Sequence, residues 1–533
     1  MIEKVKKIRL PLWLKVVLAI LAGGVYVWYC IRVFSVSEID SDYANLVLEA
    51  SDILKGNIFM CDWIQTGISF FTTDLLYYMV GVFFSGVSRD AYLIASGLMF
   101  SCMIFSALLL VVEGSGRKHK VTEILIFLGM CAVPSALGLN LLRAHTGAYV
   151  WAFIAVYCFN RIYKEEKCKT FFLVLFSFSL IMGCIGDAVM LVVAVVPMLL
   201  YCIRDYVSNC PHNCKKDVFL FLLTVASVVL GGILEKIYYF VGTANKNSFL
   251  ETKVFDNFDS YLQKLSIYWH AVLGLNGADF TLQQLASFET IFYFIRTGIV
   301  LFGFIICIYN VVNFVKGKKL DIISEVLSLG FVLISIVFLI TTVSVNINSA
   351  RYIGAFPAIL AVLVIRFLRY KKIFEMRFAT NQAPVWGVPF VLGLALLCHS
   401  YIPIQQLQIV EAEQERIIPV LEEHNLKNGY ANFWDSSINT VISNERVNVR
   451  AISMDDKVNI FAWGCKQTWY REKANFVLIR NIEFSGTGVN YDNAVKLFGT
   501  PKEVVDFENY KILIYDYDIS EKINWDGMSK FNM

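Results

Sequence analysis

The chain has 533 residues, of which 57% are hydrophobic, 15% aromatic and only 17% charged, with a mean hydropathy of +0.58. A water-soluble globular chain is not this apolar, so a bilayer is the expected solvent. The net charge of +3 gives no case for nucleic acid as a partner, and the Lys and Arg residues gather in short loops between apolar runs.

A spanning helix needs about 20 mostly apolar residues. In chain order, candidate spans lie near residues 12–33, 91–112, 121–139, 147–161, 170–186, 188–203, 217–234, 291–314, 321–344, 351–368 and 384–400, about eleven transmembrane helices. The first run is too long for a signal-peptide core and lacks a small-residue cleavage pattern, so it is expected to remain as a helix. Orientation follows from the basic loops. Lys4, Lys6, Lys7 and Arg9 precede the first span; Arg117, Lys118 and Lys120, then Arg161, Lys164, Lys167 and Lys169, then Lys215 and Lys216 follow. Lys316, Lys318 and Lys319, and then Arg369, Lys371, Lys372 and Arg377, keep the same alternation, which places all of them in the cytoplasm.

Residues 69–86 are nearly apolar enough to span, but Thr72, Thr73 and Asp74 interrupt them, and a span here would invert every later loop. Residues 34–90 are therefore expected as one external loop, with 69–86 lying in the interface. The other external segments are 139–146, 186–187, 345–350 and a long one at 235–290. From about Tyr401 the composition turns polar. Alternation over 475–480 and 510–515 predicts strands, and 409–423 predicts a helix. The expected organisation is a polytopic α-helical membrane region at 1–400 and a soluble, extracytoplasmic α/β domain at 401–533.

Of the thirteen cysteines, Cys102, Cys131, Cys158, Cys184, Cys202 and Cys307 sit inside apolar runs, where Cys behaves as a small hydrophobe. The segment holding Cys210, His212 and Cys214 has metal-like residue types but no second ligand pair nearby, so it reads as a cytoplasmic loop.

The strongest local signal is Ile39-Asp40-Ser41-Asp42-Tyr43, two carboxylates directly after the first span. Taken alone, an acidic loop facing water accounts for it. Taken with Asp74-Leu75-Leu76-Tyr77-Tyr78 and Phe83-Phe84-Ser85-Gly86-Val87-Ser88 before the second span, the pattern over about residues 35–90 resembles the GT-C superfamily. The similar proteins are polyprenyl-phosphate-sugar-dependent glycosyltransferases, bacterial homologues of protein O-mannosyltransferases and of lipid A aminoarabinose transferases. The resemblance implies a GT-C-like fold, an undecaprenyl phosphate sugar as donor and a first-loop Asp as catalytic base. Those relatives carry an Asp-Glu pair where this chain has Asp40-Ser41-Asp42, so either Asp42 or Asp40 fills the role, with Asp42 preferred. They also place a Pro-rich element where Thr72-Thr73-Asp74 stands here, which leaves the acceptor open.

Inverting transfer needs a carboxylate to deprotonate the acceptor hydroxyl on the far side of the anomeric carbon from the leaving phosphate. The phosphate in turn needs cationic or hydrogen-bonding partners. Arg143, His145 and Arg351 are the candidates on the external side, although Arg351 also fits a snorkelling anchor. Trp63, Asp74 and Tyr352 are candidates for the substrate pocket; Trp63, like Tyr77 and Tyr78, also fits an interfacial anchor. Asp187 reads first as a helix cap. Tyr430, Phe433, Trp434, Trp469 and Tyr470 read as core, with an acceptor surface as the alternative. Two nearby carboxylates do not complete an oxygen-ligand shell, so a divalent metal stays an open alternative and no cofactor is assigned.

The resulting expectation is a membrane glycosyltransferase acting on an extracytoplasmic glycan, lipid or protein. The rival is a transporter or flippase of a lipid-linked saccharide. Transporters tend to show repeats and polar groups near the bilayer midplane, whereas here the polar groups concentrate on one face.

Overall fold

The computed structural model describes residues 11–525 apart from 117–118, 165–168, 210–214, 243–244, 247–252, 255–257, 282, 378–384 and 481–485. The segment with Cys210, His212 and Cys214 thus lies outside the described residues.

The chain opens with α1 (Leu12–Phe34), then the first-loop elements α2 (Ser41–Leu54), β1 (Trp63–Gln65) and α3 (Leu75–Ser85). The bundle continues through α4 (Arg89–Val112), α5 (Lys120–Cys131), the short α6 (Ala136–Leu141), α7 (Thr146–Lys164) and α8 (Lys169–Gly186). A π-helical turn (Leu191–Val195) leads into α9 (Val196–Asn209), followed by α10 (Lys215–Gly242), β2 (Asn245–Lys246) and α11 (Phe258–Leu275). Then come α12 (Phe288–Val315), α13 (Ile322–Ile340), a 3-10 turn (Ile347–Ile353), α14 (Phe356–Tyr370) and α15 (Gly387–Ser400).

Each expected span carries a helix. Among the described residues, eight helices are long and apolar enough to cross a membrane, and the 3-10 turn with α14, bent by 48°, makes a ninth. The helices α5 and α7 fall short in length or apolarity. For α7 the reason is its position: most of its residues, from Thr146 to Ile162, are buried against neighbouring helices, so they need not be lipid-soluble. By contrast α1 turns Leu12, Ile20 and Leu21 outward, and α12 turns out Ile305 and Ile308. Long helices with exposed apolar faces require hydrocarbon around them. The chain is a multi-pass membrane protein. The stretch at 69–86 forms α3, whose 11 residues reach roughly 16 Å, about half a hydrocarbon core.

The helix ends beside the described basic residues meet at one end of the bundle. There Arg366 contacts both oxygens of Asp321 at 2.6 Å, and Arg369 contacts Glu123 at 2.9 and 2.6 Å. Arg204 reaches Glu325 at 2.6 Å and Arg161 reaches Glu113 at 3.2 Å. These charges are mostly buried between helix ends, and paired, bidentate geometry is what makes such burial tolerable.

At the other end the C-terminal region begins with α16 (Glu413–Glu423), β3 (Asn428–Ala431), α17 (Ser437–Ile442), β4 (Asn448–Met454), β5 (Val458–Ile460) and β6 (Cys465–Lys466). It ends with β7 (Phe476–Arg480), α18 (Tyr491–Phe498), β8 (Glu503–Phe507), β9 (Tyr510–Ile514) and β10 (Ile523–Asn524). Seven strands form one sheet in the order β10-β5-β4-β3-β7-β9-β8, with β4, β3 and β7 parallel and β7, β9 and β8 antiparallel. The strands expected near 475–480 and 510–515 are β7 and β9, which pair Val477 with Leu513; the expected helix is α16. A second, three-stranded sheet has the order β2-β1-β6. It joins the first loop, the segment after α10 and the C-terminal region, with Trp63 opposite Lys466 and Ile64 opposite Cys465.

Candidate active site

The end of α1 and the start of α2 create the acidic centre. Asp40 is the N-cap of α2 and accepts the Tyr43 N–H at 3.2 Å, while Asp42 sits in the first turn, where the helix dipole favours negative charge. Burial, and then the adjacent charge of Asp42, push the half-buried Asp40 carboxyl well above the ordinary carboxylate range, against the pull of Arg143 and Arg351. The Asp42 carboxylate has a partner on each oxygen. Its Oδ1 accepts the indole N–H of Trp463 at 3.2 Å, and its Oδ2 lies 3.5 Å from Arg351 Nη1. Both Asp42 and Arg351 keep 26% of their side-chain surface exposed, so this pair is reachable from solvent.

Arg143, in contrast, is buried. Its Nε donates to Leu139 O at 2.8 Å, and its terminal nitrogens donate to Glu38 O and the Ser37 hydroxyl. Its guanidinium lies over Tyr92 at 4.9 Å and Tyr43 at 5.7 Å. These bonds fasten the α6–α7 connection to the residues just before Asp40.

His145 adopts φ 63°, a left-handed conformation rare outside glycine, which local structure must enforce. Its Nδ1 lies 2.7 Å from Asp187 Oδ2, and its ring packs on Phe70 at 5.0 Å and Tyr352 at 4.6 Å. Asp187 caps the following turn as expected, through Oδ1 and the Val189 N–H at 2.9 Å, and uses its other oxygen to orient the imidazole. Tyr352 is held in turn by the Tyr149 hydroxyl, which donates to its carbonyl at 2.6 Å.

Asp74 is fully buried behind this group and accepts the Gly147 N–H at 3.3 Å. Burial, and then the charge of Asp187, raise its carboxyl to about 7. The close approach depends on Gly147, where a Cβ would stand 2.6 Å from the Thr73 carbonyl carbon.

The fold thus brings Asp40, Asp42, Arg143, His145, Arg351, Tyr352 and Asp74 to one end of the bundle. Trp63 is placed elsewhere, at the far end of α2. It is buried edge-on against Trp469 at 4.9 Å and donates its indole N–H to Asp52 at 2.8 Å, so it builds the seat of the loop.

Sequence reading assigned no role to Trp463, to the Asp187–His145 pairing or to Glu49. Glu49 lies two turns after Asp42 on the same face of α2; it is 3% exposed, and burial raises its carboxyl to about 8. The seven-residue spacing from Asp42 to Glu49 was the available signal. No group of three or more His, Cys, Asp or Glu side chains arranged to hold a metal ion occurs among the described residues.

A cavity of about 430 Å³ opens beside the site between α4, α5, α6, α11, α12, α14 and α15. Phe100, Met103, Ile104 and Met130 give it an apolar wall. Leu142 and Gly354 carry it up to the loops of Arg143 and Arg351, although the two Asp carboxylates do not line it.

No protein-family model and no curated protein matches the chain. Among solved structures, ArnT from Cupriavidus metallidurans bound to undecaprenyl phosphate aligns over 94% of this chain and 98% of its own, with a TM-score of 0.55 at 10% identity. This chain has the ArnT fold. The apo form of the same protein aligns over the same shares, with a TM-score of 0.45 at 12% identity. The shared fold covers 94% of the chain, from the membrane helices to the C-terminal sheet region.

Proposed function

We propose that this chain is an integral membrane glycosyltransferase that takes a sugar from a polyprenyl phosphate, undecaprenyl phosphate by preference, and attaches it to an extracytoplasmic acceptor. The observation that carries this reading is the solvent-reachable Asp42–Arg351 pair beside Asp40, set in the fold of a protein that binds undecaprenyl phosphate. The basic helix ends lie opposite this site, which supports placing the site and the C-terminal region outside the cytoplasm.

Asp42 is the general base: it takes the proton as the acceptor hydroxyl oxygen bonds to the anomeric carbon. The bond from that carbon to the phosphate oxygen breaks, and its electron pair leaves with polyprenyl phosphate. Arg351 moves from Asp42 to the developing phosphate charge, a planar cation suited to that geometry. His145, oriented by Asp187, and Tyr352 bound the same space. Arg143 acts by fixing the acidic loop. The neighbouring cavity accommodates isoprenoid next to Arg351. At its polar end Arg296 is held by the neutral oxygens of Asn276, Gly129, Leu396 and Ser400.

The test is transfer of labelled sugar from a panel of polyprenyl phosphate sugars by the purified protein in lipid, with candidate acceptors, alongside Asp40→Asn and Asp42→Asn. Transfer that vanishes in Asp42→Asn, with folding preserved, supports the mechanism. Movement of intact lipid-linked sugar across the bilayer without transfer would sink it in favour of a transporter.

A further inference from the structure

One face of α2 carries Asp42, Asn45, Glu49 and Asp52, spaced three, four and three residues apart, a polar stripe along the helix. A short stretch of the C-terminal region lies along this stripe. The Trp463 indole N–H meets Asp42 at 3.2 Å, and Lys466 Nζ meets both oxygens of Asp52 at 3.0 and 3.1 Å. Between them Gly464, at φ 57°, packs so closely on Asn45 that a Cβ would stand 2.7 Å from Asn45 Nδ2. Asn45 also accepts the Ser437 hydroxyl, and β6 pairs with β1. The stretch 463–466 is thereby fixed in register on α2 at both ends and in the middle.

We propose that Trp463, supplied by the C-terminal region, is a positioning residue that aims the Asp42 carboxylate; the proposal rests on the glycosyltransferase reading. A base must be held in direction as well as in place, because misalignment of about 1 Å costs rate steeply. Asp42 has Arg351 on one oxygen and Trp463 on the other. A phosphate that draws Arg351 away leaves the indole as the remaining side-chain restraint. An indole N–H is a donor only, so it steadies the carboxylate without competing for the proton that the base must accept. The close packing of Gly464 on Asn45 keeps that donor where Asp42 needs it.

Trp463→Phe keeps an aromatic ring next to Cβ and removes the N–H. In the full-length protein in lipid, kcat should fall about 10-fold or more, the scale of a hydrogen bond to a charged group, with KM for the donor changed less than about twofold. In an Asp42→Glu background, where the longer side chain has already moved the carboxylate, the same substitution should cost less than about twofold. Wild-type kcat in Trp463→Phe, or an equal loss in both backgrounds, overturns the proposal. Lys466→Gln separates stability from alignment: it should lower Tm and leave the kcat of the folded protein within about twofold. If the wild-type protein transfers no sugar from any donor, the transferase reading fails by itself. Hydrogen exchange over residues 41–46 then decides: faster exchange in Trp463→Phe supports the restraint, and unchanged exchange overturns it.

Discussion

Asp40 and Asp42 differ by two positions in the chain and by much more in surroundings, and the difference underlies the roles proposed for them. Asp40 caps a helix with its carboxyl raised by burial and by its neighbour, whereas Asp42 reaches solvent between a guanidinium and an indole. Asp42→Asn should therefore lower kcat by at least about 100-fold with Tm unchanged within a few degrees, measured by labelled-sugar transfer and thermal unfolding. Glu49 invites a test of linkage. Its folded carboxyl, raised by burial to about 8, binds its proton more tightly than an unfolded Glu does. Stability should then fall as pH rises from about 4.5 to about 8, and level off above that. Glu49→Gln should flatten that decline, with a gain on the order of 2–4 kcal/mol at pH 8 read from Tm against pH. The two first-loop acids were legible because they follow an apolar run directly. Trp463 was not, because its partner is 421 residues away and an isolated Trp reads as core or interface. Trp63 misled for the related reason that nothing local announces Trp469 beside it.

Elements succeed or fail here by their neighbours. The long helices with outward apolar faces, such as α1 and α12, were readable from hydropathy, because lipid imposes its own chemistry on them. The buried α7 also appeared in its expected place, but its weaker apolarity makes sense only once it is seen enclosed by other helices. At the basic end, α14 is tied to the start of α13 through Arg366 and Asp321. Arg366→Gln leaves that carboxylate without its bidentate partner, and unfolding should cost about 3–5 kcal/mol less, visible as a lower Tm in detergent. At the opposite end, Gly464→Ala puts a side chain on a left-handed backbone and against Asn45. The expected loss is about 1–3 kcal/mol, together with a fall in transfer activity as the Trp463 stretch lifts from α2.

On the scale of the whole molecule, the alternation of basic loops makes the arrangement open to a direct topological test. With Cys61, Cys168, Cys210, Cys214 and Cys398 replaced, a cysteine introduced by Gly486→Cys should react with an impermeant maleimide in intact cells, and one introduced by Lys371→Cys should react only after lysis. The reverse pattern would overturn the proposed sidedness. The positive-inside pattern made the two ends legible in the sequence, whereas the joining of distant segments by β1 was invisible, because a three-residue strand carries almost no periodicity. That small sheet also sets an order of events during synthesis. The membrane helices are free to insert one after another as they leave the ribosome, but the seat along α2 stays unfilled until residue 466 has been made. At about 5–20 residues per second, the interval from Asp42 to Trp463 is about 20–80 s. Throughout that time the acidic loop stands without its indole partner, so a ribosome-stalled or C-terminally truncated chain would be an inserted protein whose Asp42 lacks that restraint.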